Sequence, residues 1–65
     1  MKFYDFLFEL TENSENEGEQ ILCEETTLDA AWNCLLNMYG FERNELRFIE
    51  RISVEEGEML GLDTY

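Results

Sequence analysis

The chain contains no histidine, a single lysine (Lys2) and only two cysteines, Cys23 and Cys34. Without histidine, the commonest general base is missing, and no mixed zinc site can be completed with the two thiols. A cysteine nucleophile would also lack the cationic neighbour that lowers a thiol pKa. We therefore expect no catalytic residue, no metal site and no cofactor, and we interpret both cysteines as small buried apolar side chains.

Long apolar runs are missing as well, because no stretch of the sequence approaches the length of a membrane span. The first residues do not resemble a signal peptide, since Asp5 and Glu9 interrupt the apolar stretch that follows Lys2. These absences predict a cytoplasmic protein with reduced thiols. We expect one domain, residues 1–65, with a thin core, because a chain of this size buries only about 60% of its unfolded surface.

Positive charge is scarce: sixteen acidic residues stand against four basic ones, for a formal net charge of −12. Such a field repels nucleic acid and anionic membranes, so direct binding of either is not expected. It favours a basic protein surface as partner, although the acidity can also serve only solubility. Disorder is not predicted, because 45% of the residues are hydrophobic and 14% are aromatic.

The most apolar stretch runs from Phe3 to Leu10. Alternate side chains of this stretch are apolar, which places them on one face of a β-strand: Tyr4, Phe6, Phe8 and Leu10. The opposite face is mixed, with Phe3 and Leu7 beside Asp5 and Glu9. This pattern predicts a central strand with neighbours on both sides.

The next segments predict a hairpin and a helix. Residues 11–18 are polar and turn-rich, as in a hairpin loop, and residues 19–25 resume as a weaker strand at an edge. Thr26 and Thr27 mark the start of the main helix, with Asp29 at capping-box spacing from Thr26, and Gly40 marks its end. Apolar side chains recur at helical spacing and predict packing on the sheet: Leu28, Ala31, Trp32, Leu35 and Tyr39.

Residues 45–53 are ambiguous between strand and helix. Leu46, Phe48 and Ile52 have the spacing of one strand face, whereas the arginines at 43, 47 and 51 recur every four residues, as on a helix. We predict a strand, because a hairpin alone does not make a stable sheet. Ser53 and Glu56 then have capping-box spacing, and Gly61 supplies a stop, so a short helix is expected over 54–60.

Together these elements predict a small two-layer α+β domain with ββαβ order. Its antiparallel sheet has strand order 2-1-3, which places the most apolar strand at the centre. The main helix covers one face of the sheet, and a short C-terminal helical turn follows the third strand.

One spacing in the hairpin matches the calcium loop of an EF-hand. Its ligand positions would be Asn13, Glu15, Glu17, Gly18 and Glu24. The flanking helices are missing, however, and the last position falls within a strand. A solvated acidic loop is the preferred interpretation, and divalent-cation binding is kept as an alternative.

Two surfaces carry the functional expectations. The first is the second sheet face with the C-terminal tail, which would be an apolar contact surface unless the tail covers the sheet: Phe3, Leu7, Ile49, Met59, Leu62 and Tyr65. The second is an acidic surface drawn from the hairpin, the end of the second strand and the C-terminal region: Glu12, Glu15, Glu17, Glu19, Glu24, Glu25, Glu55, Glu56 and Glu58.

From these surfaces we predict a non-enzymatic protein-interaction module. It would form a homodimer through the second sheet face and bind a basic protein partner through its acidic surface. The alternative is a nucleic-acid mimic, of the kind made by phages or mobile elements, that inhibits a host nuclease or DNA-binding protein. Spaced carboxylates can imitate the phosphates of a duplex in a basic groove.

Overall fold

The computed structural model describes all residues, 1–65, and confirms the predicted architecture. Three strands form an antiparallel sheet of order β2-β1-β3 with the predicted central strand. In chain order the elements are strand β1 (Tyr4–Leu10), strand β2 (Gln20–Glu25), helix α1 (Leu28–Asn33), a π-helical segment (Cys34–Met38), a 3₁₀ turn (Arg43–Glu45), strand β3 (Leu46–Ile52) and helix α2 (Val54–Leu60).

The main core lies between the sheet and α1, on the side that we call the helix face. It contains eight buried residues: Phe6, Phe8, Leu10, Ile21, Cys23, Ala31, Leu35 and Leu46. Phe8 is fully buried and contacts the ring edges of Trp32 and Phe48, with centroids 5.0 and 5.6 Å away. The alternation in β1 therefore predicted the core-facing side chains correctly.

Both ends of the main helical region have local causes. Thr27 is the N-cap, and its hydroxyl accepts a hydrogen bond from the Ala30 N–H at 3.1 Å. The sequence placed the capping pair one residue earlier, at Thr26, which is wrong. Gly40 ends the region as predicted, with a φ of +77° that favours glycine. Phe41 then folds back, and its N–H donates to the Leu35 carbonyl at 3.1 Å.

The segment that was ambiguous in sequence forms strand β3, as predicted, but this strand contains a bulge. Leu7 lies opposite Glu50 and Phe8 lies opposite Phe48, so Ile49 has no partner on β1. The extra residue reverses the alternation beyond it. Ile52 therefore lies on the sheet face opposite to Phe48, and the prediction that the two side chains share a face is wrong.

Helix α2 covers the other side of the sheet, which we call the α2 face. The Ser53 hydroxyl caps α2 by accepting from the Glu56 N–H at 3.1 Å, and Gly61 ends it in the left-handed region, both as predicted. Beneath α2 lies a second, smaller core formed by Leu7, Leu22 and Ile52, against which Leu62 packs. Only three buried apolar residues make up this core, so the α2 face is the thinner half of the domain.

The C-terminal tail adds a short parallel bridge to the edge of β2. Leu22 donates its N–H to the Asp63 carbonyl at 2.9 Å, and the Tyr65 N–H donates to the Leu22 carbonyl at 2.7 Å. The sequence predicted that the tail packs back but did not predict this pairing. The tail occupies part of the β2 edge and leaves β3 as the fully open edge of the sheet.

None of the helices combines the length and the apolar character that a membrane span requires.

Candidate functional site

All four basic side chains have partners within the chain. The Arg43 and Arg51 guanidinium groups lie 4.4 and 4.2 Å from the ring centres of Trp32 and Tyr4, and the Lys2 ammonium lies 5.4 Å from the Tyr4 ring. The fourth base, Arg47, forms an ion pair with Glu9. These contacts hold the positive charge close to the body of the protein.

Three of the four basic residues lie on or just before β3, and the fourth, Lys2, precedes β1. Arg47 and Arg51 lie on β3, opposite β1, and Arg43 begins the turn that leads into β3. Residues 3–42 and 52–65 contain no lysine or arginine. Strand β2, helix α2 and the tail therefore carry acidic side chains and no basic one.

The predicted acidic residues are at the surface, where they form separate groups. Eight of the nine are exposed and Glu25 is half-buried. Glu19 and Glu24 lie near the two ends of β2, roughly 17 Å apart for five residues of strand. The hairpin acids lie at one end of the sheet, and Glu24 and Glu25 lie at the other.

The hairpin loop is attached to the body of the protein by hydrogen bonds. The Thr11 hydroxyl and the Asn13 side-chain amide both donate to the Asn44 carbonyl, at 2.5 and 3.0 Å, and the Thr11 N–H donates to the Glu45 carbonyl at 2.8 Å. These bonds fix the base of the acidic loop against the turn before β3.

The five positions of the calcium-loop spacing do not converge. Asn13 uses its side chain on Asn44, and Glu24 lies at the opposite end of β2 from Glu15 and Glu17. No group of three or more carboxylate, thiol or imidazole side chains has a geometry that could hold a metal ion. The arrangement therefore gives the calcium alternative no support.

The apolar contact set predicted for the second sheet face does not form one surface. Leu7 is buried within the second core, and Leu62 is half-buried against it. Tyr65 lies on the other side of the sheet, where its ring contacts Tyr39 and Phe41 at centroid distances of 4.8 and 5.7 Å. The sequence did not indicate this outcome, because it depends on the bulge in β3. The bulge brings Ile52 to the α2 face, where Ile52 joins Leu7 and Leu22 in the core that α2 covers.

Three members of that set remain in contact with solvent. Phe3 is 50% exposed, Ile49 is 39% exposed and Met59 is 87% exposed. Tyr39, which was predicted to face the sheet, is 51% exposed, and Met38 beside it is 77% exposed. The exposed apolar side chains are therefore distributed over several elements: Phe3 precedes β1, Ile49 lies on β3, Met59 lies on α2, and Met38 and Tyr39 lie at the end of the π-helical segment.

A buried carboxylate on the α2 face was not predicted. Asp5 is 3% exposed, and its Oδ1 has no hydrogen-bond partner. Burial, followed by the negative charges of Glu24 and Glu58, raises the pKa of Asp5 above its ordinary value. Gly57 of α2 lies directly against it, since a Cβ at position 57 would be 1.8 Å from Asp5 Oδ2. An acid inside the most apolar strand and a glycine inside a short helix are the sequence signals for this contact.

A shallow cleft of about 270 Å³ opens between the end of β2 and the main helical region. Three of its six lining residues are apolar and three are polar: Glu25, Ala30, Asn33, Cys34, Asn37 and Met38. Asn37 donates its side-chain amide to the Asn33 side-chain oxygen at 2.6 Å along one wall. None of the residues that line the cleft is basic.

The chain matches none of the protein-family models, curated proteins or solved structures with which it was compared.

Proposed function

We propose that the protein is a non-enzymatic interaction module whose acidic surface binds a basic surface of another protein. The observation that carries this proposal is the segregation of charge. The three arginines lie on or just before β3, each of the four bases has a ring or a carboxylate as partner, and β2 carries acids but no base. Such an arrangement orients the approach of a basic partner toward the β2 side.

The chemistry of the side chains supports a binding role over a catalytic one. The chain has no histidine, and Cys23 is fully buried with its pKa raised to about 12, so its thiolate is scarce at neutral pH. Asp5 is enclosed beneath α2, where a substrate has no access to it. We place this binding activity in the cytoplasm, in keeping with the expectation of reduced thiols.

Two double variants, each of which removes two negative charges, test which acidic group binds the partner. Glu24→Gln with Glu25→Gln changes the β2 end, and Glu12→Gln with Glu15→Gln changes the hairpin by the same net charge. Calorimetric titration with a lysine-rich peptide, at low and at high salt, should show several-fold weaker binding for the β2-end variant than for the hairpin variant. Equal losses for both pairs would mean that only net charge matters, and no binding by the unmodified protein would reject the proposal.

A nucleic-acid mimic is the second candidate, and the anchored hairpin favours it. Because Thr11 and Asn13 attach the loop to the body, nearby carboxylates can keep fixed positions, as phosphates do. Proteins captured from a lysate by the immobilised chain should then be released by added duplex DNA. A captured protein that binds the chain and DNA together would contradict mimicry and leave the general proposal standing.

The homodimer stays a prediction, and the apolar surface available for it is smaller than the sequence indicated. Leu7 is buried within the chain, so Phe3, Ile49 and Met59 are the members of the predicted apolar set that remain exposed. The open β3 edge is a poor alternative, because its bulge and the charges of Arg47 and Glu50 discourage strand pairing. Light scattering should show a dimer fraction that grows with concentration and decreases in Phe3→Ser. A constant monomer mass would exclude the dimer.

A further inference from the structure

The two cysteines meet in the fold although eleven positions separate them in the chain. Cys23 lies on β2, and Cys34 begins the π-helical segment. The Cys23 thiol donates to the Ala31 carbonyl at 3.8 Å, and the same carbonyl accepts from the backbone N–H of Cys34. The Cys34 side chain also packs against the buried core to which Cys23 belongs. Two cysteines from different elements are therefore neighbours in the fold.

Only one of the two thiols can meet a reagent from solution. Cys23 is 0% exposed, whereas Cys34 is partly exposed and lines the cleft beside Glu25. Burial, and then the neighbouring Cys34, raise the pKa of Cys23 to about 12. Cys34 is accordingly the thiol that reacts first, and Cys23 is placed behind it as the resolving thiol.

We propose that Cys23 and Cys34 form a reversible oxidation site at which hydrogen peroxide converts the two thiols into a disulfide between β2 and the π-helical segment. In the first step the Cys34 thiolate attacks a peroxide oxygen. A sulfur–oxygen bond forms, the oxygen–oxygen bond breaks, and the released hydroxide takes up a proton as water, leaving a sulfenic acid. Cys23 then loses its proton and attacks the Cys34 sulfur, which expels a second water. One hydrogen peroxide thus accepts the two electrons that the two thiols lose.

The charge of the protein favours a neutral oxidant over an anionic one. The net charge of −12 and the carboxylate of Glu25 at the cleft repel an anion such as glutathione disulfide. Hydrogen peroxide carries no charge and is small enough for a cleft of about 270 Å³. Peroxide should therefore oxidise the pair faster than glutathione disulfide does at equal concentration.

The hydrogen-bond pattern of the main helical region changes at Cys34. A disulfide brings two sulfur atoms closer than thiol contact distance and needs favourably placed Cβ atoms. The π-helical segment begins at Cys34, and the Tyr39 N–H donates to the Cys34 carbonyl at 3.3 Å. Such wide turns interrupt the regular α-helical ladder and often mark functional sites. The crosslink closes a short loop and should raise Tm by roughly 10 °C.

The test treats the intact protein with hydrogen peroxide, unfolds it, labels free thiols with N-ethylmaleimide and measures the mass. We expect a monomer that takes up no label after peroxide and two labels after subsequent reduction with dithiothreitol. A product that keeps one free thiol, or a disulfide between two copies, would overturn the proposal. This measurement needs no variant, so it does not depend on how a substitution folds.

Two variants test the order of reaction. In Cys23→Ser, Cys34 should form a sulfenic acid that dimedone traps. In Cys34→Ser, Cys23 should resist peroxide in the folded protein and take up label only after unfolding. Oxidation of Cys23 in the second variant at the rate of the unmodified protein would contradict the assigned roles.

Discussion

The two faces of the sheet are stabilised differently, although the same three strands supply both. The helix face holds eight buried apolar residues and the aromatic contacts around Phe8. The α2 face holds three such residues, together with the unpartnered carboxylate of Asp5 beneath Gly57. Burial of apolar area drives folding, whereas a buried charge without a partner opposes it.

The comparison shows how the stability of this domain is distributed. The sheet and α1 form the strongly stabilised unit, and α2 with the tail closes over a thin second core. Regions with few buried apolar contacts open at lower free energy than the whole domain. We therefore expect α2 and the tail to detach before the sheet unfolds, and four substitutions test this difference.

The largest effect is expected for Phe8→Ala on the helix face. Removing this ring should lower the free energy of unfolding by about 3–5 kcal/mol, because a cavity replaces its contacts with Trp32 and Phe48. A domain of this size has a total stability of roughly 3–10 kcal/mol, so the variant should be largely unfolded. Leu7→Ala is the control on the α2 face, with an expected loss of about 2 kcal/mol. Urea denaturation measures both free energies of unfolding, and equal losses in the two variants would contradict the difference between the faces.

Gly57→Ala should act on the α2 face alone. The added methyl group would overlap Asp5 Oδ2, and overpacking of this kind costs about 1–3 kcal/mol. Hydrogen exchange should accelerate at the amides of Leu22 and Tyr65, which the tail pairing protects, and remain slow within β1. The double variant with Asp5→Ala should recover protection. Met59→Ala, at an exposed position of α2 away from the cap, is the control and should leave exchange unchanged.

Asp5→Asn should stabilise the protein at neutral pH by about 1 kcal/mol, because it removes a buried charge that lacks a partner. The sign of its pH dependence follows from the raised pKa. The folded state holds the Asp5 proton more tightly than the unfolded state, so this group's contribution to stability falls as pH rises between the two pKa values. The advantage of the variant should therefore vanish in acid and grow toward neutral pH. Urea denaturation from acid to neutral pH measures the difference in stability between the variant and the unmodified protein. A difference that does not change with pH would contradict the raised pKa of Asp5.

The smallest effect is expected for Arg47→Gln on the α2 face. The Arg47 side chain is 60% exposed, so its ion pair with Glu9 is screened by solvent and should contribute less than about 0.5 kcal/mol. This loss should disappear at high salt. Arg43→Gln on the helix face removes a cation from the ring of Trp32 and should cost about 0.5–1 kcal/mol. A larger loss for Arg47→Gln would reverse the predicted order.

Local sequence features predicted the elements well because their causes are local. The alternation from Tyr4 to Leu10, the stop at Gly40 and the cap at Ser53 each depend on neighbours within a few residues. The one-residue error at the start of α1 arose because Thr26 and Thr27 are both good capping residues. The strand order was also predictable, since a central position suits the most apolar strand.

The candidate surfaces were less predictable, because they depend on the register between distant segments. The acidic residues were expected at the surface and lie there, but their separation along β2 follows from the hairpin pairing. The bulge at Ile49 reverses the side of Ile52, and no period in residues 46–52 indicates where an extra residue will be inserted. With Ile52 on the α2 face, α2 packs over Leu7, and the predicted apolar contact surface is largely covered.

The sequence alone determined the acidity, the central apolar strand, the amphipathic main helix and the order of the three strands, because composition and short-range periodicity encode them. The tertiary structure alone decided that Asp5 meets Gly57, that the tail pairs with β2 and that Cys23 lies near Cys34. Each of these contacts joins residues from separate elements, and the register and packing of those elements emerge only when the whole chain has folded.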